Sequence, residues 1–319
     1  MNNEALEIGG YLSLEQNDVP NNQFWDTCLL MNSAKNCFNI LIKEINVKKI
    51  YIPRYTCEVM HKLKYENTSI QFYNINNFYL VEDNIKLNKG EVIIYTNYFG
   101  VNDESCQRTI NRFGKERVII DNAQSLFTYF DCLANVYSPR KFLGIPDGGI
   151  IKSDYIDLDI KLPLERTSVW GFMHLLLRRD KRTKLGLEWH QKNEKRIFNL
   201  KPKLMSIITS SLLKQIDIED IINKRNKNFR ILDSKLKHIN KLDVSVDSTS
   251  PVCYPLLIDE NLKSHLYDND IYTPHYWKNN SNLNSFENKI SDMTSFLPID
   301  QNISKEKLLR IIDVIECYE

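Results

Sequence analysis

Two apolar runs constrain the fold of this chain more than any other feature: Glu91–Asn97 (EVIIYTN) and Val118–Ile120 (VII). Neither alternates polar with apolar residues, as a strand with one wet face would. Both therefore predict strands covered on both faces of a sheet. A helical segment over 104–113 joins them. Upstream, Phe38, Leu41, Ile42 and Ile45 recur at helical spacing, with Asn32 or Ser33 as the natural N-cap. A strand Lys49–Pro53, a helix from about Glu58 and a strand Ile70–Tyr73 follow. Strands alternating with helices at these lengths predict an α/β domain with a mostly parallel sheet.

The 319 residues suffice for one large domain and a smaller appendage, here placed at 1–200 and 201–319. Basic and acidic residues nearly cancel, 42 against 41, so neither a nucleic-acid surface nor a membrane surface is expected. The start, MNNEALEIGG, lacks a basic stretch followed by an apolar one, and no apolar run approaches a membrane span. A cytoplasmic location is the expectation. Seven cysteines without a C-x-x-C pair and six histidines without an H-x-x-x-H spacing predict neither a disulfide framework nor a metal site. Residues 8–15 read as an entering strand, with Gly9-Gly10 giving the backbone freedom near its start.

Chemistry concentrates between 118 and 149. Asp121 follows the VII run, and ligands in open α/β sheets bind at the carboxyl ends of strands. The plain alternative is that Asp121 caps the next turn. A second short apolar segment, Leu133–Tyr137, leads into Ser138-Pro139-Arg140-Lys141 and then Pro146-Asp147-Gly148-Gly149, with a returning strand over 150–153. An acid, a lysine and a glycine turn are thus brought within one stretch.

These residues resemble the DegT/DnrJ/EryC1/StrS family of fold-type I enzymes that use pyridoxal phosphate (PLP), best known as sugar aminotransferases. The family's Asp-x-Ala-Gln motif, with a lysine and a Gly-Glu-Gly-Gly turn downstream, is matched by Asp121-Asn122-Ala123-Gln124, Lys141 and Pro146-Asp147-Gly148-Gly149. The turn departs from the family's pattern, as does Val136-Tyr137-Ser138 where a Ser-Phe-His run is usual. The resemblance implies a large parallel-sheet domain, a smaller C-terminal α/β domain carrying the segments 253–258, 272–277 and 296–299, and long connecting helices over 204–236. It further implies a homodimer whose sites draw on both subunits.

The chemistry asks for these residue types. Only lysine offers a primary amine that both holds the PLP aldehyde and later moves a proton, which singles out Lys141. The cofactor's pyridine nitrogen stays protonated beside a carboxylate, the part implied for Asp121. By resemblance Gln124 donates to the ring oxygen, Ser138 reaches the phosphate, and Asn32-Ser33-Ala34 at a helix N-terminus holds that phosphate. The family also stacks an aromatic side chain on the ring; Tyr55 is the nearest aromatic, while the matching register falls on Cys57.

Residues 165–200 are the least legible. The basic run RRDKRTK over 178–184 is a solvated face by default, with a clamp for substrate phosphates as the alternative. Asn199-Leu200-Lys201 is the nearest match to the family's Asn-x-Arg and lacks the arginine, and His275 is a candidate substrate contact. The implied activity is amino transfer, with glutamate as donor, to a keto-sugar nucleotide in surface-polysaccharide biosynthesis. The alternatives are an inactive or regulatory protein of this fold and a non-transferring PLP enzyme such as a dehydratase. Dehydrating members carry His where Lys141 stands.

Overall fold

The computed structural model describes residues 25–246, 250–278 and 280–318. The expected strand at 8–15, with Gly9 and Gly10, lies outside the described residues. Seven strands form the main sheet: β1 (Leu29–Met31), β2 (Lys49–Pro53), β3 (Ser69–Tyr73), β4 (Glu91–Thr96), β5 (Val118–Asn122), β6 (Ala134–Tyr137) and β7 (Gly149–Lys152). Their order is β1-β7-β6-β5-β4-β2-β3. Strands β6, β5, β4, β2 and β3 run parallel, and β7 lies antiparallel between β6 and β1.

Helices α1 (Ala34–Ile45), α2 (Glu58–His61) and α3 (Asp103–Phe113) make the crossovers. Every residue of β4 and β5 is buried, as unbroken apolar runs require. Successive residues of β4 serve opposite faces. Val92 and Ile94 pack with Phe38 and Leu41 of α1, whereas Ile93 and Tyr95 pack with Ile110 and Phe113 of α3.

The rest of the described chain comprises α4 (Met173–Arg179), α5 (Thr183–Asn199), α6 (Ile207–Lys214), α7 (Ile218–Leu236), β8 (Cys253–Leu257), α8 (Lys263–Asp268), α9 (Ser285–Met293), β9 (Thr294–Pro298) and α10 (Lys305–Glu316). The helical stretch expected over 204–236 is two helices. Asp217 interrupts it, accepting from Asp220 N at 3.0 Å and so capping a new start at α7. Strands β8 and β9 pair antiparallel, and α7 and α10 join them in a core of Phe229, Leu232, Leu256, Leu297 and Ile312. None of the described helices is long and apolar enough to cross a membrane.

Candidate active site

The parallel strands end at one edge of the sheet, and there the N-terminus of α1 meets the turns leaving β5 and β6. A cavity of about 360 Å³ opens at this edge. Its wall is built from Ser33, Ala34, Lys35 and Phe38 of the α1 start, Cys57, Val59 and Met60 after β2, and Asp121 and Ala123 at the end of β5. Ser138, Arg140 and Lys141 after β6 and Glu194, Lys195, Ile197 and Phe198 of α5 complete it.

Asp121 is buried and accepts the Ala123 amide at 2.9 Å. That bond is the turn cap of the plain reading, and the same carboxylate also faces the cavity. Burial pushes its carboxyl above the ordinary carboxylate range, while the Lys141 ammonium and the Ala123 amide pull the other way. Lys141 sits in a tight turn, its amide donating to Ser138 O at 3.1 Å. This turn is held from the C-terminal part of the chain. Gln301 donates to Phe142 O at 2.9 Å, and the buried Arg225 guanidinium lies 4.8 Å from the Phe142 ring centre while donating to Pro251 O and Val252 O, both at 2.9 Å.

Ser33 caps α1, its hydroxyl accepting from Asn36 N at 3.3 Å. The glycine turn fixes where that helix begins. Gly148 has φ +124°, and a Cβ on Gly149 would lie 2.3 Å from Ser33 C and 2.4 Å from Ala34 N. Asp147, fully buried, anchors the turn from behind: its Oδ2 accepts from Ser168 Oγ at 2.7 Å and Arg196 Nη2 at 2.8 Å, and its Oδ1 from Thr209 Oγ1 at 3.0 Å. Aspartate here is therefore a structural acid that ties the Gly-Gly turn to α5.

Of the residues singled out in the sequence, Asp121, Ser138, Lys141, Ser33 and Ala34 share the cavity. Asn32 stands behind the wall, its amide donating to Glu165 Oε2 at 3.0 Å and Lys201 O at 2.8 Å and its oxygen accepting from Asn36. Gln124 is also off the wall, because Phe99 N donates to its Oε1 at 2.9 Å. Tyr55 is buried in an aromatic cluster, stacked on Tyr98 at 5.8 Å and meeting Trp277 edge-on at 4.7 Å. The cavity position belongs to Cys57, two residues on, where the register argument pointed. His275 and the run 178–184 are exposed and away from the wall, and Asn199 is spent on Lys195 O at 2.9 Å.

Sequence reasoning missed Arg140, Phe38, Met60 and the α5 residues. The i, i+3, i+4 set Glu194, Ile197, Phe198 was the available signal for one helical face. Lys35 is bound to the same helix, donating to Phe198 O, and burial holds its ammonium below the ordinary range.

The wall fits PLP. A buried carboxylate with a hydrogen bond to spare suits a protonated pyridine nitrogen, Lys141 supplies a primary amine, and a capped helix start with the Ser138 hydroxyl suits a phosphate.

No family model matches this sequence, and no curated protein matches it. Solved structures do. PseC of Helicobacter pylori, an aminotransferase of pseudoaminic acid biosynthesis, is 16% identical with TM-score 0.61, over 92% of this chain and 88% of that one. A DegT DnrJ EryC1 StrS aminotransferase from Brucella abortus is 14% identical with TM-score 0.59, over 91% and 85%. The PLP form of Spr1654 from Streptococcus pneumoniae is 12% identical with TM-score 0.62, over 91% and 86%. The chain carries the fold-type I architecture of the DegT/DnrJ/EryC1/StrS sugar aminotransferases.

Proposed function

We propose that this protein is a PLP-dependent aminotransferase that moves an amino group, with glutamate as donor, onto a keto-sugar nucleotide. The observation that carries the reading is the meeting of Asp121, Lys141 and the α1 start in one cavity, from three separate turns. Bound there, PLP supplies an aldehyde that accepts amino groups and a ring that withdraws electrons from the reacting carbon. Lys141 would hold the cofactor through its primary amine, and its Nζ would serve as the group that moves a proton. Positioned proton transfer of this kind contributes about 10²- to 10⁴-fold. Asp121 would keep the ring nitrogen protonated by opposite charge; burial works against its ionisation, and a cation beside it, like the Lys141 ammonium in the cofactor-free site, works for it. Ser33, Ala34 and Ser138 would receive the phosphate, and Ile197 and Phe198 give the cavity an apolar side on α5.

A nucleotide-sugar acceptor, a place in surface-polysaccharide assembly, a homodimer and a cytoplasmic location belong to the same reading. Of these, only the sugar part of the acceptor is supported by likeness to solved structures, CalS13 of Micromonospora echinospora, a sugar aminotransferase, among them. A second reading, binding without turnover, is favoured by one feature: Cys57 lines the cavity where the resemblance implies an aromatic ring. Mixing PLP-loaded protein with glutamate alone separates the two. The transferase releases about one equivalent of 2-oxoglutarate per site and Lys141→Ala releases none; a PLP-saturated wild type that releases none selects the binding reading.

A further inference from the structure

Next to Lys141 the cavity carries an ion pair that the chemistry above leaves unused. Arg140 and Glu194 meet two atoms on two, Nη1 to Oε1 at 2.5 Å and Nη2 to Oε2 at 3.0 Å, and both line the wall. The pair joins the turn after β6 to α5. Its side chains are 23% and 40% exposed, so water and dissolved anions reach the fork from the cavity. The wall also has a surplus of positive charge: Lys35, Arg140, Lys141 and Lys195 against Asp121 and Glu194. A guanidinium presents a planar fork that matches carboxylate or phosphate, and here a side-chain carboxylate already occupies that fork.

We propose that Arg140 is the oxyanion-recognition residue of this site, and that an acidic substrate binds by taking the place of Glu194 on the guanidinium. The ligand chemistry is a carboxylate or a phosphate, supplied by the amino donor or by the diphosphate of a nucleotide-sugar. The naming of those two sources rests on the proposed function. The presence of an exchangeable anion site does not.

Exchange predicts opposite effects for the two partners. Glu194→Gln removes the competing carboxylate, so an external anion should bind about tenfold more tightly. Arg140→Gln removes the fork, so binding should weaken by about ten- to a hundredfold, with Arg140→Lys falling between because it keeps the charge and loses the fork. A pair that only fastens α5 to the turn predicts that both variants act alike. The test is titration calorimetry of glutarate and of UDP into wild type, Arg140→Gln, Arg140→Lys and Glu194→Gln, each with and without PLP. Thermal midpoints confirm that each variant is folded. Opposite shifts for glutarate assign the donor carboxylate, and opposite shifts for UDP assign the nucleotide. Equal affinities in all four proteins, or weakening in both Glu194→Gln and Arg140→Gln, overturn the proposal. Weakened PLP binding in Arg140→Gln, with pyridoxal, glutarate and UDP unaffected, also overturns it, since Arg140 would then hold the cofactor phosphate. Protein that takes no PLP yet binds an anion with these opposite shifts removes the transferase reading and keeps the anion site.

Discussion

Gly149→Ala tests the link between the glycine turn and the cofactor site. The added Cβ would stand 2.3 Å from Ser33 C, 2.4 Å from Ala34 N and 2.5 Å from Ser33 O. All three are backbone atoms, so no rotamer change relieves the clash. Ordinary contact begins at 3.4 Å, and 3.4 minus 2.3 leaves 1.1 Å, the distance by which the first turn of α1 must draw back from β7. Overpacking of this kind costs about 1–3 kcal/mol. The corresponding fall in the thermal midpoint is on the order of 2–10 °C. Moving the helix start also moves the Ser33 cap and the helix amides facing the cavity, so PLP should bind about tenfold more weakly, each tenfold being about 1.4 kcal/mol. Gly144→Ala is the control, because a Cβ there meets nothing within 4 Å. Differential scanning fluorimetry and PLP titration by absorbance read both effects. A Gly149→Ala protein that melts and binds PLP like wild type would mean that the glycine turn does not set the position of the α1 start.

Two further substitutions address charge in the site and behind it. Burial raises the Asp121 carboxyl above its ordinary value of 3.8, so the folded cofactor-free protein binds this proton more tightly than the unfolded chain does. The stability it contributes is full below that value and is lost as pH rises through the raised one. Asp121→Asn removes the loss: without PLP the variant should equal or exceed wild type in urea midpoint at pH 7, and it should bind PLP far more weakly. A clearly lower midpoint at pH 7 would count against it. Asp147→Asn leaves Arg196, whose side chain is 17% exposed, without its carboxylate. Removing one partner of a buried pair costs roughly 3–5 kcal/mol, and the partial access of Arg196 to water puts the expected loss at the lower end. Urea unfolding checks it, and a loss below about 1 kcal/mol would contradict an anchoring role.

What was legible in the sequence follows the range of the interactions involved. The apolar runs of β4 and β5 declare their burial residue by residue, and Asp121, Lys141 and Ser33 each carry a local signal: a strand end, a lysine in a turn, a helix cap. Asn32 and Gln124 look equally polar in sequence, but partners remote in the chain orient both, Glu165 and Lys201 taking the Asn32 amide and Phe99 N the Gln124 oxygen. No local pattern reveals that competition. Tyr55 and Cys57 differ by a two-residue register at the end of β2, and packing against Trp277 decided which of them the core took. The α5 wall was unreadable for a related reason. Its helix is mostly exposed, and contacts remote in sequence place it, among them Arg196 reaching Asp147, 49 residues away, and Glu194 meeting Arg140.

Lys141 is the lysine proposed to hold the cofactor. Lys35 and Lys195 line the same cavity, so the lysine that reacts is a discriminating observable. Purified protein is incubated with PLP, reduced with borohydride to fix the cofactor on its lysine, digested and mapped by mass spectrometry. One pyridoxyl phosphate per chain is expected, on Lys141, and lost in Lys141→Ala. Labelling of Lys35 or Lys195 in its place, or no labelling of a folded protein, would contradict it.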